Sequence, residues 1–154
     1  MNRLEANEFA ANWVSAWNRK DVNAVLEHYV EDARFISPKA ATFVGKPVVE
    51  GKTALSQYWQ LAARTIAKIE FTLDHIVWDS ESNELVIFYE ANLNGVCSRA
   101  CEMMKFDSSG RQVSGEAMYG ATIRTVARRT GICNSLFRTP AASKCSVTCH
   151  YATD

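Results

Sequence analysis

Residues 99–121, RACEMMKFDSSGRQVSGEAMYGA, decide how this chain folds. Asp107, Ser108, Ser109 and Gly110 are turn formers between two apolar-rich runs, so the stretch reads as a pair of β-strands joined by a polar turn. Side chains alternate faces along a strand. On the second strand Val113, Gly115, Ala117, Tyr119 and Ala121 share the more apolar face, which predicts that this face meets the core. The first strand is ambiguous. One face carries Ser98, Ala100, Glu102, Met104 and Phe106, and the other Cys97, Arg99, Cys101, Met103 and Lys105. Either register brings a charge towards the interior, Glu102 in one and Arg99 in the other. Such a conflict between burial and charge is where function tends to sit.

Upstream, Phe9, Trp13 and Trp17 recur every fourth residue with Ala10 and Val14 beside them, which predicts an amphipathic helix over residues 4–18. Asn18 is expected to close it in the left-handed conformation. Asp21 is expected to cap a second helix carrying Val22, Val25, Leu26 and Tyr29 on one face. A short strand follows over residues 33–37, stopped by Pro38. Residues 39–50 read as a loop or minor strand, and residues 51–66 as a third helix with Leu55, Tyr58, Trp59 and Ala62 on one side. Alternating runs over 68–78 and 84–93 are strands, and Asn94-Gly95 is a two-residue hairpin signal. The order predicts an α+β fold, with three helices packed in the concave face of a strongly curved antiparallel sheet.

Bulk properties narrow the class. The 154 residues are enough for one domain with a core. Apolar residues make up 47%, which places the chain among ordinary globular domains rather than disordered ones. Net charge is zero, so no general attraction to nucleic acid or membrane is expected. The charge is divided, however. Residues 1–121 carry 12 basic and 16 acidic side chains, and residues 122–154 carry 5 and 1. No apolar run approaches the ~20 residues that cross a bilayer. The acidic, polar start MNRLEANEFAANW lacks the apolar stretch of a signal peptide, which predicts a cytoplasmic protein. Five cysteines, two of them on one strand, do not suggest a secreted disulfide framework.

The form E-x-x-x-F-D-x-x-G-x-x-x-x-G-E-A-x-Y-G, running from Glu102 to Gly120, resembles the closing strands of the nuclear-transport-factor-2-like superfamily, best its polyketide-cyclase-like (SnoaL-like) and ketosteroid-isomerase-like branches. The resemblance covers roughly residues 5–122, so the expected domain is 1–122, followed by an extension over 123–154 that shares none of it. It implies a cone: the sheet wraps the helices and leaves a deep pocket at the open end. It also implies that Glu102 faces inward, as a pocket acid that donates to a developing oxyanion. Three departures stand out. The isomerase-like base before the proline is here Ser37, and the cyclase-like acid of the last strand is Ala117. The isomerase-like tyrosine of the first helix is Trp13.

From these readings the expected catalytic residues are Glu102, Tyr119 and Ser37. The expected pocket lining is Trp13, Trp17, Tyr29, Phe35, Trp59, Tyr89, Met104 and Ala117. The expected activity is that of an isomerase, cyclase or hydrolase on a mostly apolar small molecule, with no cofactor; the alternative is a binding module with the same pocket and no chemistry. The superfamily's habit of pairing sheets implies a homodimer through the outer face, where Val86, Phe88, Met103 and Met118 would form an apolar patch. Other motifs read as structural. Gly45 to Thr53 nearly spells a phosphate-binding loop, but with the wrong spacing and Pro47 inside it. Cys145, Cys149 and His150 are one ligand short of a structural zinc site. His28 and His75 have no evident nucleophile beside them.

Overall fold

The computed structural model describes residues 1–125. Helix α1 (Arg3–Asn18) opens on a capping box: Asn2 accepts from the Leu4 and Glu5 backbone N–H groups, and its own N–H donates to Glu5. Ala6, Ala10, Trp13, Val14 and Trp17 form its buried stripe, as the spacing predicts. Its end differs from expectation. Arg19 is the C-cap and Lys20 takes the positive φ of 56°. Asn18 instead reaches across to β3, donating to the Phe71 carbonyl (3.0 Å) and accepting from its N–H (2.6 Å). The asparagine amide supplies both a donor and an acceptor, and so fastens the helix to the sheet.

Asp21 caps α2 (Val22–Glu27), and its side chain accepts from Ala24. Tyr29, expected on that helix, begins strand β1 (Tyr29–Ile36) instead. A short helix, α3 (Pro38–Val44), replaces the expected loop. The reason is local: Ser37 is an N-cap and Pro38 fills N1, where its missing N–H costs nothing. The protein therefore has four helices among the described residues rather than three. Strand β2 (Val48–Glu50) and helix α4 (Lys52–Thr65) follow. The near-phosphate-loop is only this β2–α4 turn. Lys52 donates to the Tyr29 carbonyl at 3.1 Å and faces Glu31.

Strands β3 (Ile69–Asp79), β4 (Glu84–Leu93), β5 (Val96–Phe106) and β6 (Gln112–Thr125) form an antiparallel meander. The sheet order is β2-β1-β6-β5-β4-β3; β1 and β6 are the one parallel pair, far apart in sequence. The sheet is curved and does not close. A bulge between Leu73 and His75 shifts the alternation, so Ile76 and Trp78 continue the inward face begun by Ile69 and Phe71. Asn94 and Gly95 turn the β4–β5 hairpin with φ of 55° and 93°. Gly115 is required by packing: a Cβ there would lie 2.9 Å from the Phe35 ring and 3.0 Å from the Tyr29 hydroxyl. Strand β6 runs to Thr125, so the expected boundary at residue 122 falls inside it. The basic tail and its Cys145, Cys149 and His150 lie outside the described residues.

Candidate functional site

Strand β5 settles the open register. Ala100, Glu102, Met104 and Phe106 are buried, and Arg99, Met103 and Lys105 are exposed. Glu102 stands in one row between Ile87 of β4 and Ala117 of β6, and is 3% exposed. No hydrogen bond or ion pair reaches its carboxyl among the described residues. Arg99 points out to Asp74 at 2.6 Å, and Arg34 is exposed. With nothing to stabilise the anion, burial pushes the Glu102 carboxyl up to about 8. It is protonated in most molecules at neutral pH, and so can donate a hydrogen bond.

Glu102 lies on the wall of a cavity between α1, α3, α4 and the sheet. The wall contains Trp13 and Trp17 of α1, Tyr58 and Trp59 of α4, Phe35 and Ser37, Phe71 of β3, Tyr89, Ala117 and Tyr119. The aromatic rings brace one another: Trp13 stacks on Phe71 at 5.9 Å, and Trp17 meets Trp59 edge-on at 5.5 Å. The cavity is narrow rather than deep, about 40 Å³, which is room for a few waters. Large indoles fill the cone that smaller side chains would leave open.

Ser37, Tyr58, Tyr89 and Tyr119 supply hydroxyls. Ser37 is fully buried and does two structural jobs: its Oγ accepts from the Lys39 N–H (3.2 Å) and from the Tyr58 hydroxyl (3.3 Å). A hydroxyl has two acceptor sites and one proton, so only the proton of Ser37 is left to offer. Burial raises the Tyr58 phenol to about 12 and raises Tyr89 and Tyr119 as well, and the nearby Glu102 adds to all three. These groups stay protonated at neutral pH and act as donors, not bases.

Two expected lining residues are buried elsewhere. Tyr29 stands against Trp59 with its hydroxyl accepting from Gln112 at 2.6 Å, and Met104 lies one same-face step beyond Glu102, packed into the core; neither is on the cavity wall. The histidines are also outside it. His28 is exposed, with its ring edge-on to Phe9, and His75 stacks on Phe88 across the outer face. Lys39 is the wall residue that the sequence reading missed. It comes to the site because Ser37-Pro38 starts a helix, and that cap-plus-proline signal was legible in the sequence. Among the described residues no cluster of His, Cys, Asp and Glu could hold a metal ion.

Residues 10–129 match the model of the SnoaL-like domain. The chain belongs to the SnoaL-like domain family. Its fold is shared by a SnoaL-like protein of unknown function from Burkholderia thailandensis, 26% identical with a TM-score of 0.70, the match covering 78% of this chain and 98% of that one. It is shared too by SalBIII, an epoxide hydrolase/cyclase-like enzyme of pyran ring formation in the polyether salinomycin (20% identity, TM-score 0.63, 82% and 98% covered). TerC, co-crystallised with polyporic acid, is similar at 10% identity and a TM-score of 0.62, with 75% and 92% covered. No curated protein matches the sequence. The family includes cyclases and isomerases. No helix of the described SnoaL-like domain is long and apolar enough to cross a membrane.

Proposed function

We propose that this SnoaL-like protein is a small-molecule enzyme of the isomerase, cyclase or hydrolase type. It acts without a cofactor on a mostly apolar substrate, with Glu102 as general acid and then base. The carrying observation is a buried carboxyl, unpartnered and neutral, on the wall of an aromatic cavity. A neutral carboxyl can hand its proton to a substrate oxygen, such as a carbonyl becoming an enol or an epoxide oxygen becoming an alcohol. The carboxylate left behind, desolvated among aromatics, is a strong base that recovers a proton from the substrate or a water. Tyr119 and the remaining Ser37 proton are further donors for the developing oxyanion. The narrow cavity favours a compact substrate.

A second reading, a binding module for a small hydrophobic ligand, has an observation in its favour. The wall holds a single carboxyl, with Ala117 and a cap-engaged Ser37 where related branches place theirs. A panel of small ketones, terpene epoxides and polyketide-like fragments separates the two. If any member is turned over, Glu102→Gln is expected to lower kcat about 100-fold or more, the size of a lost general acid–base. Unchanged turnover in that variant would remove Glu102 from the mechanism. Binding without turnover across the panel, surviving the substitution, would establish the binding module instead.

A further inference from the structure

Lys39 is the other charged residue on the cavity wall, and the proposed chemistry does not use it. It is half-buried, with its Nζ 4.4 Å from the centre of the Tyr119 ring. The lysines Lys52, Lys68 and Lys105 each face a carboxylate within 4 Å, and Lys20 donates to three carbonyls. Lys39 has no carboxylate within that distance among the described residues. Its ammonium is partly stripped of water and meets only the face of a phenol. A ring face compensates such a cation only in part. Burial lowers its pKa accordingly.

The other polar groups of the wall tell the same story. The indole N–H groups of Trp13 and Trp17 are buried and have no acceptor among the described residues. An unmade hydrogen bond of that kind is costly and calls for a partner. Ser37 has only its proton to offer, and the tyrosines remain phenols. Neutral Glu102 adds another donor. The wall holds two indole donors without an acceptor among the described residues, and it carries one net positive charge.

We infer that the substrate of this site is a compact anion, a short unsaturated carboxylic acid, whose carboxylate sits on the Lys39 ammonium while its few carbons lie among the tryptophans. The inference rests on the reading of Glu102 as the reacting group in the same cavity. It adds where the substrate is held and what charge it bears. The sheet fixes the spacing. Tyr119 is two residues from Ala117, which pairs with Glu102, so the ring under the Lys39 ammonium is rooted one same-face step, ~7 Å along the strand, from the Glu102 row. A carboxylate on Lys39 therefore places the atoms beyond it, and not the acid group itself, at Glu102.

Isothermal titration calorimetry with crotonate and its neutral analogue crotonamide tests this without any turnover. The wild-type protein is expected to bind crotonate at least tenfold tighter than the amide. Lys39→Met should erase that preference by weakening crotonate, with an unchanged thermal midpoint reporting that the fold is intact. Lys39→Arg should keep the preference. Equal affinities in the wild type, a preference that survives Lys39→Met, or no crotonate binding at millimolar concentration would each overturn the inference. Because the titration reads affinity alone, the preference can fail while Glu102 keeps its chemical role, and Glu102 can lose that role while the preference stands.

Discussion

The two faces of strand β5 treat charge in opposite ways. On the outer face Arg99 meets Asp74 at 2.6 Å and Lys105 meets Glu84 at 3.4 Å. Lys105–Glu84 joins the adjacent strands β5 and β4, and Arg99–Asp74 reaches from β5 over β4 to β3; both pairs are wet and about half exposed. On the inner face no cation is paired with Glu102 among the described residues. A strand built for stability alone would place an apolar residue there, as its row neighbours Ile87 and Ala117 do. Outer charges are compensated because water and cross-strand partners make compensation cheap. The inner charge is avoided by protonation, which is what gives the carboxyl its chemistry.

Titrating stability is the strongest way to sharpen that contrast. The Glu102 carboxyl lies near 8 in the folded protein against 4.5 when free, so the folded state holds the proton more tightly. Its contribution is fully present below the unfolded value and is lost as pH rises through about 8. Over that window the wild type is expected to lose on the order of several kcal/mol of unfolding free energy. Glu102→Gln should flatten the loss and be the more stable protein at pH 9. Asp74, Asp79 and Asp107 have lowered pKa values, held down by hydrogen bonds, and act in the opposite sense: their contribution disappears only as pH falls into the acid range. Urea unfolding at pH 5.5, 7 and 9 separates the two. A wild type no less stable at pH 9 than at pH 5.5 would mean that Glu102 is compensated after all.

Much of this was legible in the sequence, and the failures are local. The four-residue rhythm of Phe9, Trp13 and Trp17 and the two-residue rhythm of β4 are burial patterns written directly in residue type. The Asn94-Gly95 turn is dictated by the positive φ it needs. Helix α3 was missed because seven residues carry too little periodicity to register, although Ser37-Pro38 announced its start. The register of β5 could not be chosen from β5 alone, because both faces carry a charge and apolar residues. Only its pairing with Ile87 and Ala117 decides it. Cavity size was illegible for a different reason. It depends on how three indoles and several phenyl rings pack, not on which residues face inward, so an expected deep pocket became a narrow one. Tyr29 and Met104 face inward as expected yet sit where the cone is filled.

Beside those charge pairs the outer face offers Met103 and Met118, about 40% and 39% exposed, with the half-buried Val86 and Phe88 next to them. We propose that a second copy of the chain covers this patch, sheet against sheet. Sedimentation at micromolar concentration is expected to show a dimer, and Met103→Glu with Met118→Glu to weaken it tenfold or more, since like charges would then face each other across a two-fold interface. A wild-type monomer under those conditions would refute the pairing and leave the inner site untouched.

The smallest effect is expected from Arg99, and its smallness is informative. Arg99 and Glu102 are three residues apart and were the two candidates for the inward charge. Had Arg99 faced the core, removing it would leave a hole and an orphaned partner, among the costliest of substitutions. Facing out, its guanidinium is about half exposed, and its gain from Asp74 is offset by the entropy of holding two side chains in place. Arg99→Ala is therefore expected to leave the thermal midpoint almost unmoved at physiological salt. Any residual difference should vanish as added salt screens the pair. The Asp74 pKa, held down chiefly by its hydrogen bond from Arg99, should return towards the ordinary carboxylate range in the variant, and NMR titration of that carboxyl reads it directly. A large, salt-independent loss of stability in Arg99→Ala would place this side chain inside the cone, turn Glu102 outward, and undo the assignment of the site.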